Sequence, residues 1–361
     1  MTQKSSNISI AILCACAVLS KYLVIVPEYM VKYVGNAAWI DVGSKCIIAT
    51  ISFLFTIWLY KPFAPMAFPN VIYQSLGKVA GTFISYIYII GFTVFNSILL
   101  RLLIEALSTV MATNAPDEFF SLFVLFPVFV AAYSGNSATT RLSGIIFPFV
   151  ILTLFTVCLA LSPHYRIENI MPVFGISSKR LLDGIFTRHF GFAELLLLLF
   201  FAPRLGSYKE IKKTGLVTIT VITIFTVAFT SAYCLTVPYP ASKDFFLPFY
   251  QMTRMIKSGA FLQRLEPIVV FVWTSFVMCS MSCLISIVAH LLSKSTDKQK
   301  EKPFVPLVTI ITFFISMLPA SENSAFSFYE KLLNVSTLLF PTLPVIVLII
   351  ARIRRRRHKA I

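Results

Sequence analysis

The residues with chemistry to offer are few, and they sit where charge is costly. Lys21 interrupts one apolar run, Glu194 interrupts another, and Arg101 and Glu105 stand four residues apart inside a third. An ionised side chain at membrane depth costs at least a few kcal/mol, so it faces a bundle interior and a partner. Arg101 and Glu105 share one helix face and read as a self-neutralising structural pair. Asp41 and Lys45 repeat that spacing near the end of an apolar run and read as a snorkelling surface pair. Lys21 and Glu194 have no partner within their own segments. Two readings stand for them: they neutralise each other across two segments, or Lys21 meets a ligand carboxylate and Glu194 a ligand ammonium. Arg264 and Glu266 read as an interfacial ion pair ahead of Pro267, a residue suited to a first helical turn. Trp273, two turns further on, reads as packing or as pocket lining.

No catalytic centre is expected. There is no His-Glu-x-x-His, no Gly-x-Ser-x-Gly, no phosphate loop and no paired intramembrane aspartates. All seven Cys fall in apolar runs, and Cys14/Cys16 and Cys279/Cys283 lack the neighbouring His or carboxylate ligands of a metal site. The chain is therefore read as a non-enzyme without metal or cofactor.

The elements that must position these residues follow from composition. Of 361 residues, 57% are hydrophobic and only 13% charged, against about 25% charged in soluble domains. This excludes a soluble enzyme, a disordered chain and a disulfide scaffold. A net charge of +16 suggests nucleic acid, but the basic residues are separated by long apolar runs rather than gathered on one polar face. What remains is a polytopic membrane protein.

A membrane-crossing helix needs about 20 mostly apolar residues. Ten stretches qualify, near 8–30, 37–60, 79–111, 119–133, 143–161, 185–203, 215–237, 262–293, 304–319 and 335–351. The first lacks a cleavage site and carries Lys21, so it reads as a retained helix, not a signal peptide. With Arg188 and Arg264, at the edges of spans, counted with the loops they adjoin, eighteen of the 31 Lys and Arg fall on the side that would hold both termini, ten on the other, and three within spans. By the positive-inside rule both termini are expected in the cytoplasm. The basic tail 352–361 reads as an anchor on anionic lipid or as a docking tail. The segment 61–78, with Pro62, Pro65, Pro69 and Gly77, reads as a punctuated re-entry into span three. In the exterior loop 238–261, apolar residues at near-helical spacing predict an amphipathic helix over the mouth of the bundle or on the membrane surface. Ten spans divide as five plus five, and an odd number per repeat inverts the second copy. Transporters built this way place their site at midplane, between discontinuous helices one and six. Here span one carries Ser20-Lys21-Tyr22, span six carries Gly191 and Glu194, and each ends near a proline, Pro27 and Pro203.

Four stretches carry a family resemblance: Phe68-Pro69-Asn70 through Leu76-Gly77-Lys78; Tyr133-Ser134-Gly135 with Arg141-Leu142; Asn169-Ile170-Met171-Pro172; and Gly259-Ala260-Phe261-Leu262-Gln263-Arg264-Leu265-Glu266 leading to Trp273. In these, and nearly end to end, the chain resembles the endospore germination permeases, the B subunits of spore nutrient-germinant receptors within the amino acid–polyamine–organocation superfamily. The resemblance implies an all-α, inverted-repeat (LeuT-like) fold with broken helices 1 and 6. It also implies a multi-pass subunit of the spore inner membrane. Such a subunit binds a small germinant, often an amino acid, and works with A-type and C-type lipoprotein subunits. The expected pocket residues are Ser20, Lys21, Tyr22, Gly191, Phe192 and Glu194, lined by Asn96 and Trp273. An amino acid or cation symporter and a non-binding structural subunit are the alternatives. One departure stands out: where the family has a small-x-small pattern at the first helix break, this chain has Ser20-Lys21-Tyr22, which would fill space that glycines leave open to a ligand.

Overall fold

Long apolar runs punctuated by glycine and proline fold here into helices joined by short turns. The computed structural model describes residues 3–111, 115–187, 193–244, 247–256, 266–298, 300–319 and 322–359, and contains no strand among them. Gly191, Phe192 and Arg264, three of the expected site residues, lie outside the described residues. In chain order the helices are α1 (Gln3–Val34), α2 (Ala38–Tyr60), α3 (Phe68–Leu76), α4 (Lys78–Met111), α5 (Asp117–Tyr133), α6 (Asn136–Leu161) and α7 (Ser178–Thr187). After a 3-10 turn at Ala193–Leu196 come α8 (Leu197–Phe200), α9 (Ala202–Leu205), α10 (Tyr208–Thr236), α11 (Pro248–Arg254), α12 (Glu266–Ser295), α13 (Phe304–Ser316) and α14 (Glu322–Lys359).

Five stretches among the described residues are long and apolar enough to cross a membrane: Val26–Phe63, Lys78–Met111, Asn136–His164, Tyr208–Thr236 and Glu266–Ser295. Asn7–Tyr22 and Phe304–Ser316 are shorter apolar helices beside them. The centre of the bundle is α1, which packs on α10, α12 and α6, while α12 also lies against α4 and α5. α10 crosses α2 at Gly215, where an added Cβ would stand 1.9 Å from Cζ of Phe53. Only a hydrogen side chain permits that approach.

Polar contacts sort the helix ends. The Asn7 amide donates to Glu210 Oε2 at 2.9 Å, and Tyr73 of α3 meets Ser295 at 3.2 Å. With Lys61, just past α2, 5.7 Å from the Tyr208 ring of α10, and Arg352 and Arg354 of α14 donating to Trp58 O and Ser75 O, the starts of α1 and α10 and the ends of α2, α12 and α14 share one end. At the other end Ile176 N–H donates to Val34 O, Arg166 N–H donates to Leu235 O at 3.0 Å, and the Tyr33 hydroxyl donates to Asp183.

The structure corrects the expected break in helix 1 and sharpens the reading of three other segments. Helix 1 is not broken: α1 stays helical from Gln3 to Val34, straight through Ser20-Lys21-Tyr22. None of those residues is Gly or Pro, and Pro27 is absorbed within the helix. Span six is broken, as expected, into a 3-10 turn and two short helices over 193–205. α8 stops at Phe200, because Pro203 has no N–H for the Leu199 carbonyl and its ring would collide with it. Gly206, at φ +74°, then closes α9 with a left-handed cap. The basic tail is helical, the last part of α14, which runs to Lys359. Finally, α11 lies over the bundle with Phe249 and Met252 buried against α1, α12 and α10, the first of the two placements open for that loop.

Candidate functional site

Successive residues on a helix point about 100° apart, so Ser20, Lys21 and Tyr22 face three different neighbours. Ser20 Oγ donates to Ala17 O at 3.1 Å and to Ser280 Oγ of α12 at 3.2 Å. The Tyr22 hydroxyl turns to α10, donating to Thr226 O at 3.1 Å and bonding Thr230 Oγ1, with its ring edge-on to Phe229. Lys21 turns to the broken span. Its ammonium donates to both carboxylate oxygens of Glu194, at 2.5 and 2.7 Å, and lies 5.3 Å from the centre of the Phe95 ring of α4.

Lys21 is 1% and Glu194 4% exposed. The pair is thus a two-point clamp between an unbroken helix and the 3-10 turn Ala193–Leu196. That turn also packs against α14. Coulomb attraction, two charge-assisted hydrogen bonds and a cation–π contact together satisfy the ammonium. Chemically, such a clamp can exchange its partners: a carboxylate offered to Lys21 and an ammonium offered to Glu194 would replace one ion pair by two.

The remaining site residues fall elsewhere. Asn96 is buried on α4 next to Phe95; its Nδ2 donates weakly to Met281 O at 3.5 Å, and its Oδ1 has no partner among the described residues. Trp273 is buried on α12 with its indole N–H without a partner among the described residues. Neither makes a hydrogen bond to Lys21 or Glu194 among the described residues. Glu266 opens α12 at the far end, half-buried.

Arg101 and Glu105 do pair, but the arrangement is larger than expected. Arg101 Nη2 reaches Glu105 while Nη1 donates to Asp117 Oδ2 at 2.7 Å, so the guanidinium ties α4 to the first turn of α5. Asp117 was missed because it lies outside an apolar run. Its signal is an acidic residue in the first turn of a helix, where the dipole favours it. The Asp41–Lys45 pair is a correction. At 2.5 Å, with side chains 1% and 3% exposed, it is buried rather than snorkelling at the surface. α7 covers it, and a Cβ on Gly184 would stand 3.4 Å from Asp41 Oδ1. Glu28 and Lys32 form a further i,i+4 pair at 2.6 Å that went unremarked.

This architecture is that of solved transporters. A Na+-coupled sialic acid symporter matches with TM-score 0.61 at 12% identity, covering 93% of this chain and 76% of that one. Mhp1, a nucleobase-cation-symport-1 family transporter, matches with TM-score 0.63 at 11% identity, over 95% and 77%. The all-α, inverted-repeat transporter fold is therefore the class to which the bundle belongs. The sequence narrows it: residues 5–325 match the spore permease model, described as spore germination protein, and the chain belongs to that family. Among its relatives are spore germination protein YndE of Bacillus subtilis (strain 168), 22% identical over 335 residues (89% of this chain, 88% of YndE). Spore germination protein XB of Bacillus anthracis is 20% identical over 345 residues (94% and 95%). Spore germination protein GerLB of Bacillus cereus is 22% identical over 285 residues (78% and 76%). The chain is thus a multi-pass membrane protein of the spore germination family with a transporter fold.

Proposed function

We propose that this protein is the membrane subunit of a spore nutrient-germinant receptor. It acts as a sensor, not an enzyme. It binds a small germinant carrying both charges, an amino acid or similar molecule, where α1 meets the broken span. It works with A-type and C-type lipoprotein subunits in the inner membrane of the spore, with both ends of the chain in the cytoplasm. The observation that supports this reading is the Lys21–Glu194 clamp, buried between the two segments that hold the site in this fold. In the resting state the two charges satisfy each other. A zwitterion that takes Lys21 with its carboxylate and Glu194 with its ammonium releases α1 from the 3-10 turn. Signalling follows if the ligand binds the released conformation better than the clamped one. Lys21→Ala and Glu194→Gln spores should shift the germinant dose-response. An unchanged response in both would sink the assignment.

A non-binding structural subunit is the second reading. It is favoured by the commitment of Ser20 and Tyr22 to α12 and α10, and by the clamp's being already neutral. A symporter is favoured by the transporter fold alone, and uptake of labelled amino acid by proteoliposomes holding only this chain would support it. A response that requires co-expressed partner subunits supports the receptor.

A further inference from the structure

At the end of the bundle where α1 starts and α14 finishes, a cavity of about 910 Å³ opens between α14, α3 and the 62–67 connection. Its charged lining is Arg354 and Arg355, with Asn70 and Gln74 of α3 opposite and Pro203 of α9 beside them; no carboxylate lines it. Neither guanidinium has an acidic partner among the described residues. Each instead spends one Nη on a backbone carbonyl: Arg354 donates to Ser75 O at 2.7 Å, and Arg355 to Pro62 O. A guanidinium has five N–H donors in a planar fork that matches the oxygens of a phosphate. Two such forks therefore converge on one cavity with donors to spare, and two carboxamides add more.

Depth indicates what arrives there. Two to three residues back along α14, Arg352 stacks 4.2 Å from the Trp58 ring centre and donates to Trp58 O at 3.1 Å. Trp58 is 52% exposed. Tryptophan is enriched at membrane interfaces. Arg354 and Arg355 lie about 3–4.5 Å further along the helix at 1.5 Å per residue, on the headgroup side of that tryptophan. We propose that this cavity is a binding site for a phosphate group, presented by the headgroup of an anionic phospholipid. Its occupant joins α14 to α3 and buttresses Pro203, which ends the broken segment that carries Glu194. Free inorganic phosphate offers the same chemistry from solution.

The test uses the purified full chain in neutral detergent. Its apparent melting temperature is followed while short-chain phosphatidylglycerol, short-chain phosphatidylcholine, inorganic phosphate or a poly-glutamate peptide is titrated in. Ligands of the folded state raise that temperature by mass action. Phosphatidylglycerol is expected to raise it saturably, with phosphatidylcholine without effect. Arg354→Gln/Arg355→Gln should weaken the apparent Kd at least tenfold, and Gln74→Ala severalfold. Should the double variant fail to fold, Gln74→Ala carries the comparison. Inorganic phosphate acting with the same dependence on the variants assigns the site to a soluble source and supports it equally. The proposal is overturned if phosphatidylcholine matches phosphatidylglycerol, if the variants titrate like the unaltered chain, or if poly-glutamate alone stabilises.

Discussion

Removing one partner of the Lys21–Glu194 clamp should cost far more than removing both. At 2.5 Å and an effective dielectric of about 20, the attraction is about 6–7 kcal/mol. Stripping each ion of water costs several kcal/mol, so the intact pair stands close to even against an apolar replacement. A lone survivor has no such compensation, and breaking a buried pair from one side costs about 3–5 kcal/mol. Lys21→Met keeps the length of the side chain without its charge, and Glu194→Gln keeps the shape of the carboxylate. Each alone should lower the apparent melting temperature by about 5–8 °C, taking about 2 °C per kcal/mol or somewhat less for a chain of this size. Lys21→Met/Glu194→Gln should recover most of that loss. The assay is thermal unfolding of all four proteins in one detergent at one scan rate, since an apparent melting temperature depends on scan rate when unfolding is irreversible. A double variant that melts as low as the worse single would refute mutual neutralisation as the reason these charges are tolerated.

Other expectations follow from packing and from charge outside the spans. Gly215→Ala should destabilise by about 1–3 kcal/mol through overpacking against Phe53, and Phe53→Leu in the same chain should restore part of it in a thermal melt. Glu301, in the turn between α12 and α13, accepts a hydrogen bond from His290 at 2.5 Å, which with the nearby positive charges holds its carboxyl below the ordinary 4.5. A depressed carboxyl stabilises the fold above its unfolded value and loses that contribution as pH falls through the folded one. The difference in melting temperature between the unaltered chain and Glu301→Gln should therefore be small, screened at this half-exposed site, present near neutrality and gone once the pH is well below 4.5. Asp117→Asn should loosen α5 from α4, measured as faster hydrogen exchange in the first turn of α5 with little change at the centre of α1.

The sequence made the chemistry legible where apolar runs isolate a charge. Lys21 and Glu194 stood out because nothing within their own segments could neutralise them, and one of the two open readings was the contact that forms. The break in span six was legible at Pro203, a residue whose missing N–H acts locally. Helix 1 was not, because its expected break rested on analogy with transporters that carry glycines there, and Ser20-Lys21-Tyr22 has no residue that stops a helix. Burial was equally hard to read at Asp41 and Lys45. Their i,i+4 spacing is the same on a surface as in a core, and what covers them is α7, far along the chain. The tail announced its charge but not its docking, since carbonyl acceptors exist everywhere and only the fold brings Pro62 and Ser75 to Arg355 and Arg354.

The most direct test of the receptor reading exchanges the clamp's charges in living spores. Lys21→Glu, Glu194→Lys and the combined exchange are each introduced into otherwise unaltered spores, with abundance of the protein checked by immunoblot. Germination is then followed against germinant concentration. The account predicts that both single variants shift or abolish the dose-response, and that the exchange restores the resting clamp and spore stability while its ligand sensitivity stays altered, because the binding charges are now reversed. Single variants that are present at normal abundance and germinate with an unchanged dose-response would contradict it.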